Sequence, residues 1–494
     1  MPIVSIPILD RLSFRDYQSV FITIIFFTCE SILRVILMFM PKFLIRQMDA
    51  LIEANFPWLS RAEAKPHVSP LEHAETFEKM VKHWKNYNCE QHVVLTKDNY
   101  LLCVHRIPSV KTEHRKVKKF EPQEEIEIID NLDKFVQIKH PKPLGYQGKP
   151  VVLLYHGFLM SSEVWVSNID EYRNLPFVLA QRGYDVWLGN ARGNKYSQYH
   201  LHLNATQQQF WNFSMNEFVM RDLPDTIDYI LKQTGASSLT YIGFSQGTAQ
   251  AFASLSINPD LNKKVNLFIA LAPATTPKGL RHPIIDAFVK ATPAVIYLMF
   301  GRKAPLKLAL FWQRIVTPPI YVKIIDTCCH FLFGWTGRNM SDSQKAVSYQ
   351  HLYSTTSVKS LVHWFQIIRC GQFQMYDEVP SRLPYHSENG AADHIPPRFP
   401  TLQITTPIAI FYGRSDSLVD FNVLSADLPS PLAYVKSIGK WEHLDFLWAE
   451  GVENIIYPDV IKLLERFNPH INAPVAQKEG TKNDPEEQML HINK

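Results

Sequence analysis

Leu239–Ala253 reads LTYIGFSQGTAQAFA. A short apolar run gives way to Gly243-Phe244-Ser245-Gln246-Gly247 and then to small residues with good helix propensity. The pattern predicts a strand, a sharp turn and a helix, with the serine Oγ presented above the sheet at the turn. Glycines beside the serine allow the tight turn and the close approach of helix to strand. Gln246, at the start of that helix, can aim its backbone N–H at a developing oxyanion. Two glycines and a serine, each at about 7% average usage, recur by chance too often for the motif to stand alone. A structural Gly-Ser turn is the competing reading, and the rest of the chain has to decide between them.

The chain has 494 residues, enough for two or three average domains or for one large α/β domain with insertions. Hydrophobic residues make up 46% and aromatics 12%, which suits a packed globule with extra apolar surface. A net charge of +4 with no long basic run gives no case for nucleic acid. The six cysteines, Cys29, Cys89, Cys103, Cys328, Cys329 and Cys370, are scattered without zinc spacing and read as reduced thiols. No metal and no cofactor is expected.

The N-terminus does not match a secretory signal. Tyr17–Met40 would form a helix about 36 Å long, against roughly 30 Å for a bilayer core. Glu30 and Arg34 sit at i, i+4 and can pair, and Pro41 ends the run. A single span, a hairpin or interfacial anchor and a buried core helix all remain open, and residues 1–50 are assigned as a hydrophobic membrane anchor. Residues 51–110 read as connector and hairpin, with strands either side of Lys97-Asp98-Asn99. Residues 111–149 form a charged insertion, read as exposed or as a docking tail.

Residues 150–276 carry alternating strands and helices, the signature of a doubly wound sheet. Val151–Tyr155 is a continuous apolar run, as a strand buried on both faces requires. It leads into His156-Gly157-Phe158, where the Phe158 amide can supply a second oxyanion donor. His156 itself reads as a packed turn histidine. Gly189–Asn194 resembles a phosphate cradle only loosely and fits no nucleotide fingerprint. Asn216–Gln233 reads as one helix despite Pro224.

In residues 277–400 the alternation stops. Aromatic and aliphatic clusters such as HFLFGW, residues 330–335, suit a helical cap with an apolar inner face. A second helical domain or a membrane hairpin would share that composition. The sheet resumes in residues 401–470. Asp416 lies in the loop after the strand Pro407–Tyr412, with Asp420 as the competing acid, and His443 follows the last strand, Tyr434–Ile438. The order Ser245, Asp416, His443 is that of a nucleophile, an acid and a base on one sheet. Residues 471–494 read as a disordered tail.

HGFLMSSEVW (156–165), NLPFVLAQRGYDVWLGNARGNKYS (174–197), IGFSQGTAQ (242–250) and EHLDFLW (442–448) resemble the acid lipase family of α/β hydrolases, which includes gastric and lysosomal lipases. LAPATTPKGL, LMFGRK, FWQR, YSTTSVKSLVHWFQI and DSLVD are similar to the fungal membrane-anchored branch, the lipid-droplet steryl ester hydrolases. The resemblance implies an α/β-hydrolase fold with a mostly parallel sheet, a helical cap and an N-terminal anchor. It implies cleavage of steryl esters to sterol and fatty acid by Ser245 as nucleophile, Asp416 as acid and His443 as base, with oxyanion donors at Phe158 and Gln246. The substrate is then a hydrophobic ester at a lipid-droplet or endoplasmic reticulum surface, with the catalytic domain facing the cytosol. The sequons at Asn204, Asn212 and Asn339 are then expected to stay unmodified. Alternatives are a triacylglycerol lipase or phospholipase with the same triad, an acyltransferase, and a catalytically silent tethered scaffold. The insertion at 111–149 is longer than in relatives of this kind.

Overall fold

The computed structural model describes residues 68–108, 148–277, 293–305, 313, 316, 318–378 and 396–468. The anchor segment at 17–40, most of the charged insertion and the tail lie outside the described residues. Among the described residues no helix is long and apolar enough to cross a membrane.

Among the described residues nine strands form one sheet: β1 Glu90–Leu95, β2 Tyr100–Ile107, β3 Val151–Tyr155, β4 Asp185–Gly189, β5 Tyr199–His200, β6 Leu239–Phe244, β7 Val265–Leu271, β8 Ile408–Gly413 and β9 Tyr434–Ile438. Their spatial order is β1-β2-β4-β3-β6-β7-β8-β9, with β5 added against β2. From β4 to β9 every pairing is parallel, while β1-β2 and β2-β4 are antiparallel. The apolar runs explain this placement. β3, β4 and β6 are buried along their whole length, which demands cover on both faces. The β1-β2 hairpin turns at Asn99, whose φ is 70°, a conformation asparagine tolerates.

The helices used below are α1 Phe77–His83, α2 Leu175–Gln181, α3 Leu223–Thr234, α4 Gln246–Ile257, α5 Pro293–Phe300, α6 Pro318–Phe333, α7 Val358–Cys370 and α8 Tyr457–Phe467. α1, α2 and α8 join the apolar cluster on one face of the sheet, and α3 and α4 the cluster on the other. The single helix expected over 216–233 is broken. A π-turn at Phe218–Asp222 precedes α3, which begins with Leu223-Pro224. A proline lacks the N–H for an i→i−4 bond and clashes with the preceding turn, so the ladder is re-registered just before it. The Gly189–Asn194 loop is no phosphate cradle. Its Arg192 is buried between Asp222 (2.6 Å) and Asp98 (2.6 Å), with the guanidinium 4.0 Å from the Tyr100 ring centroid.

β3 and β4 lie on one side of the point where strand order reverses, and β6 on the other. Loops after β3 and β6 therefore meet at the carboxyl ends of the strands, where open α/β sheets hold their ligands. The loops after β8 and β9 open on the same edge. Between β7 and β8 the described elements are helical, chiefly α5, α6 and α7.

Candidate active site

Ser245 ends β6 and opens α4 at φ 52°, ψ −119°. A non-glycine residue in that region stores on the order of 1–3 kcal/mol of strain, which the surrounding structure must hold. Several contacts hold it here. The Ser245 N–H donates to the Leu271 carbonyl (3.1 Å), and the Ser245 carbonyl accepts from the Thr248 N–H (2.9 Å) and hydroxyl (2.6 Å). The flanking glycines are obligatory for space. A methyl group on Gly243 would sit 2.8 Å from the Gly247 carbonyl carbon, and one on Gly247 would sit 2.6 Å from the Tyr155 carbonyl oxygen. The motif thus seats α4 against the end of β3, beside the loop that carries Phe158.

That loop is fixed by His156. Its Nδ1–H donates to the Gly157 carbonyl (2.8 Å), and its Nε2 accepts the Ala191 N–H (3.1 Å). Burial pushes the ring down to about 4, so it stays neutral and serves as a latch between the loops after β3 and β4. Among the described residues, neither the Phe158 nor the Gln246 amide has an acceptor. Gln246 is held from the other end, its side-chain Oε1 accepting from Trp364 Nε1 of α7 at 2.7 Å.

Asp416 and His443 are brought together. His443 Nδ1–H donates to Asp416 Oδ2 at 2.7 Å, and the other carboxylate oxygen accepts the Leu418 N–H at 2.9 Å. This leaves Nε2 with its lone pair, as a base requires. The two loops are bonded backbone to backbone, Arg414 N–H to Ile438 carbonyl (2.9 Å) and Ser415 N–H to Trp441 carbonyl (3.1 Å). Asp420 goes elsewhere: it caps the helix Phe421–Ala426 through the Val423 N–H (3.1 Å). Among the described residues no hydrogen bond joins His443 Nε2 to Ser245 Oγ. The two residues meet through Phe244, whose ring centroid lies 5.0 Å from that of His443. Catalytic hydrogen bonds of this kind often tighten only when substrate is bound. Ser245, Asp416 and His443 are all buried.

Behind the site lies a polar cluster that periodicity does not reveal. Glu163, fully buried, takes Lys195 Nζ at 2.5 Å, His351 Nδ1 at 3.0 Å and the Tyr196 hydroxyl. It joins the loop after β3, the loop after β4 and the segment before α7. Burial works against the carboxylate, but Lys195 and His351 outweigh it and bring the group from its ordinary 4.5 to about 2. A depressed acid contributes its full stabilisation above about 4.5 and loses it as pH falls toward about 2. That amounts to about 3 kcal/mol. Glu163→Gln is expected to be less stable at pH 7 and to show a flatter loss of stability between pH 4.5 and pH 2. Denaturant unfolding across that range checks this, and a variant with the wild-type slope contradicts it.

A cavity of about 240 Å³ lies elsewhere, lined by Gln208, Trp211, Asn212, Tyr297, Arg302 and Lys359 among others. Amides and cations supply most of these side chains, and neither Ser245 nor His443 borders the cavity, so it does not adjoin the candidate nucleophile.

The family described as alpha/beta hydrolase fold matches residues 150–450, and a partial alpha/beta-hydrolase lipase region matches residues 77–169. A probable lipase of Schizosaccharomyces pombe is 40% identical over 99% of this chain and 98% of its own. The human gastric triacylglycerol lipase is 32% identical over 81% of this chain and 93% of its own. The lysosomal acid lipase/cholesteryl ester hydrolase of Macaca fascicularis is 31% identical over 78% and 90%. The chain belongs to the α/β-hydrolase fold family, among its gastric and lysosomal acid lipase relatives, and is a carboxylic ester hydrolase.

Proposed function

We propose that Ser245, His443 and Asp416 form the catalytic triad and that the physiological substrates are steryl esters. The observation that carries the triad is the 2.7 Å Asp416–His443 pair standing beside a serine held at a strained strand-to-helix turn. Ser245 Oγ attacks the ester carbonyl carbon while its proton passes to His443 Nε2. The Phe158 and Gln246 amides take the oxyanion, each worth roughly 3–4 kcal/mol. Asp416 holds the tautomer and stabilises the imidazolium. Collapse breaks the ester C–O bond and returns the proton to the leaving alcohol, giving an acyl-enzyme. Water then releases the fatty acid by the same steps in reverse roles.

The steryl ester reading draws on the fungal runs quoted above and on the relative named a cholesteryl ester hydrolase. A triacylglycerol reading has its own support in the gastric relatives, which are named triacylglycerol lipases. Detergent-solubilised protein given cholesteryl oleate and triolein separates them. Cholesteryl oleate turnover supports the proposal, and turnover of triolein alone moves the protein to the second reading.

We further propose that the protein acts at a lipid-droplet or endoplasmic reticulum surface, anchored through residues 17–40, with the hydrolase facing the cytosol. One contact favours a compartment without N-glycosylation. The side-chain amide of Asn339 donates to the Lys440 carbonyl (2.9 Å) and to Asp445 Oδ2 (2.7 Å). A glycan on that nitrogen would replace one of those hydrogens and break the loop beside His443. A mobility shift on deglycosylation would sink this placement.

A further inference from the structure

We propose that Trp335, which follows α6, is a positioning residue for His443: its indole holds the imidazole in place and favours the imidazolium formed when the ring takes the serine proton. The proposal rests on the triad reading above. The Trp335 and His443 rings are stacked, with centroids 5.2 Å apart and planes 11° from parallel. Trp335 is itself backed by Phe333, with centroids 4.3 Å apart. The indole is buried, and among the described residues its Nε1 has no hydrogen-bond partner, so packing and stacking alone set its orientation.

The chain on either side of this stack is bolted together. The buried carboxylate of Glu442, next to His443, accepts the Thr336 N–H (3.0 Å), the Thr336 hydroxyl (2.9 Å) and the Gly337 N–H (2.9 Å). Asn339 spans from Lys440 to Asp445, and its own carbonyl accepts the Glu450 N–H at 2.8 Å. A tryptophan that only filled space would need none of these bonds. Four of these bonds end on the carboxylates of Glu442 and Asp445, the stronger kind, and they fix the segment after Trp335 to the histidine loop.

The physical effect has a sign. An aromatic face carries negative quadrupole density, so a stacked indole favours a charged ring over a neutral one, by more when water is excluded. The indole therefore favours the imidazolium that forms when the ring takes the serine proton, which an aliphatic side chain at the same place would not do. Among the described residues, the charged or titratable groups on the elements packed around this ring include Asp416 on the β8 loop, Glu442 and Asp445 on its own loop, Asp326 and Cys329 on α6, and Lys345 and Tyr349 beyond it. Burial pushes Asp445 up to about 6. None of these groups hydrogen-bonds to the Trp335 indole.

The test is the pH profile of kcat/KM on p-nitrophenyl butyrate for the full chain in detergent. Trp335→Leu is expected to move the ascending limb to lower pH by about 0.4–1.5 units and to lower plateau kcat about 3- to 30-fold, with KM little changed. Trp335→Phe, a smaller aromatic face, is expected to fall between. Uniform fluorotryptophan, which weakens the ring quadrupole and keeps its shape, is expected to shift the limb in the wild type but not in Trp335→Phe. That arm stands even if Trp335→Leu does not fold. A limb that stays in place in the leucine variant and under fluorination overturns the proposal and leaves Trp335 as packing. Ser245→Ala run alongside separates the two levels: hydrolysis that survives it sinks the triad reading, and an inactive Ser245→Ala with an unmoved limb sinks only the role of Trp335.

Discussion

Ser245→Ala is expected to lower kcat on the order of 10⁶-fold on any ester the wild type turns over, the scale on which a triad nucleophile acts. The fold should survive. Ser245 Oγ bonds to no other described group, and its backbone bonds to Leu271 and Thr248 remain available to alanine. Alanine also keeps the positive φ, at a cost serine already bears. Hydrolysis of p-nitrophenyl butyrate and covalent labelling by a fluorophosphonate should vanish together while the thermal midpoint stays within a few degrees. Labelling that persists would place the nucleophile elsewhere.

The second large effect is expected at Asp416. Asp416→Asn keeps the size of the side chain but has only one acceptor oxygen for two donors, His443 Nδ1–H and the Leu418 N–H. Whichever donor the amide oxygen serves, its NH₂ faces the other one. The Leu418 N–H can only donate, so it takes the amide oxygen; the NH₂ then faces His443 Nδ1 and drives the imidazole to the tautomer with its proton on Nε2, where it cannot act as base. A loss of about 10⁴-fold in kcat follows. Asp420→Asn is the matched control: it alters a helix cap worth about 1 kcal/mol and leaves the rate alone. Equal losses in the two variants would mean that the acid is misassigned.

These two carboxylates show what the sequence can and cannot deliver. Both lie within four residues of each other after an apolar run, and hydropathy gives each the same standing. What separates them is a turn that returns Asp416 toward the β9 loop and leaves Asp420 at the start of a helix. The strand-to-helix turn at Ser245 was legible because all its determinants, an apolar strand, two glycines, a serine and a small-residue helix, are contiguous. His156 was legible as a packed turn residue, though not as the latch between two loops. The Asn216–Gln233 helix was misread at Pro224 because periodicity carries through a π-turn. Trp335, Trp364 and Glu163 left no trace of their roles. Each acts on a residue far away in the chain, and HFLFGW reads like any other apolar core segment. The π-turn is a local departure; the missed partners of Trp335, Trp364 and Glu163 are long-range pairings, which hydrophobic period does not encode.

The antiparallel entry of β2 has a practical consequence. Ile107 pairs with Val186 at the start of β4, and Val151 with Asp185 at the same end. The chain therefore leaves and re-enters the sheet at the edge opposite Ser245, Asp416 and His443, with one strand between its two attachment points. Two strand spacings are about 10 Å, a gap that a few residues of linker can close. The flanks of the intervening segment, beside Ile107 and Val151, are consequently the places to splice in an affinity tag or a protease site, because both attachment points lie at the end of the strands opposite Ser245, Asp416 and His443.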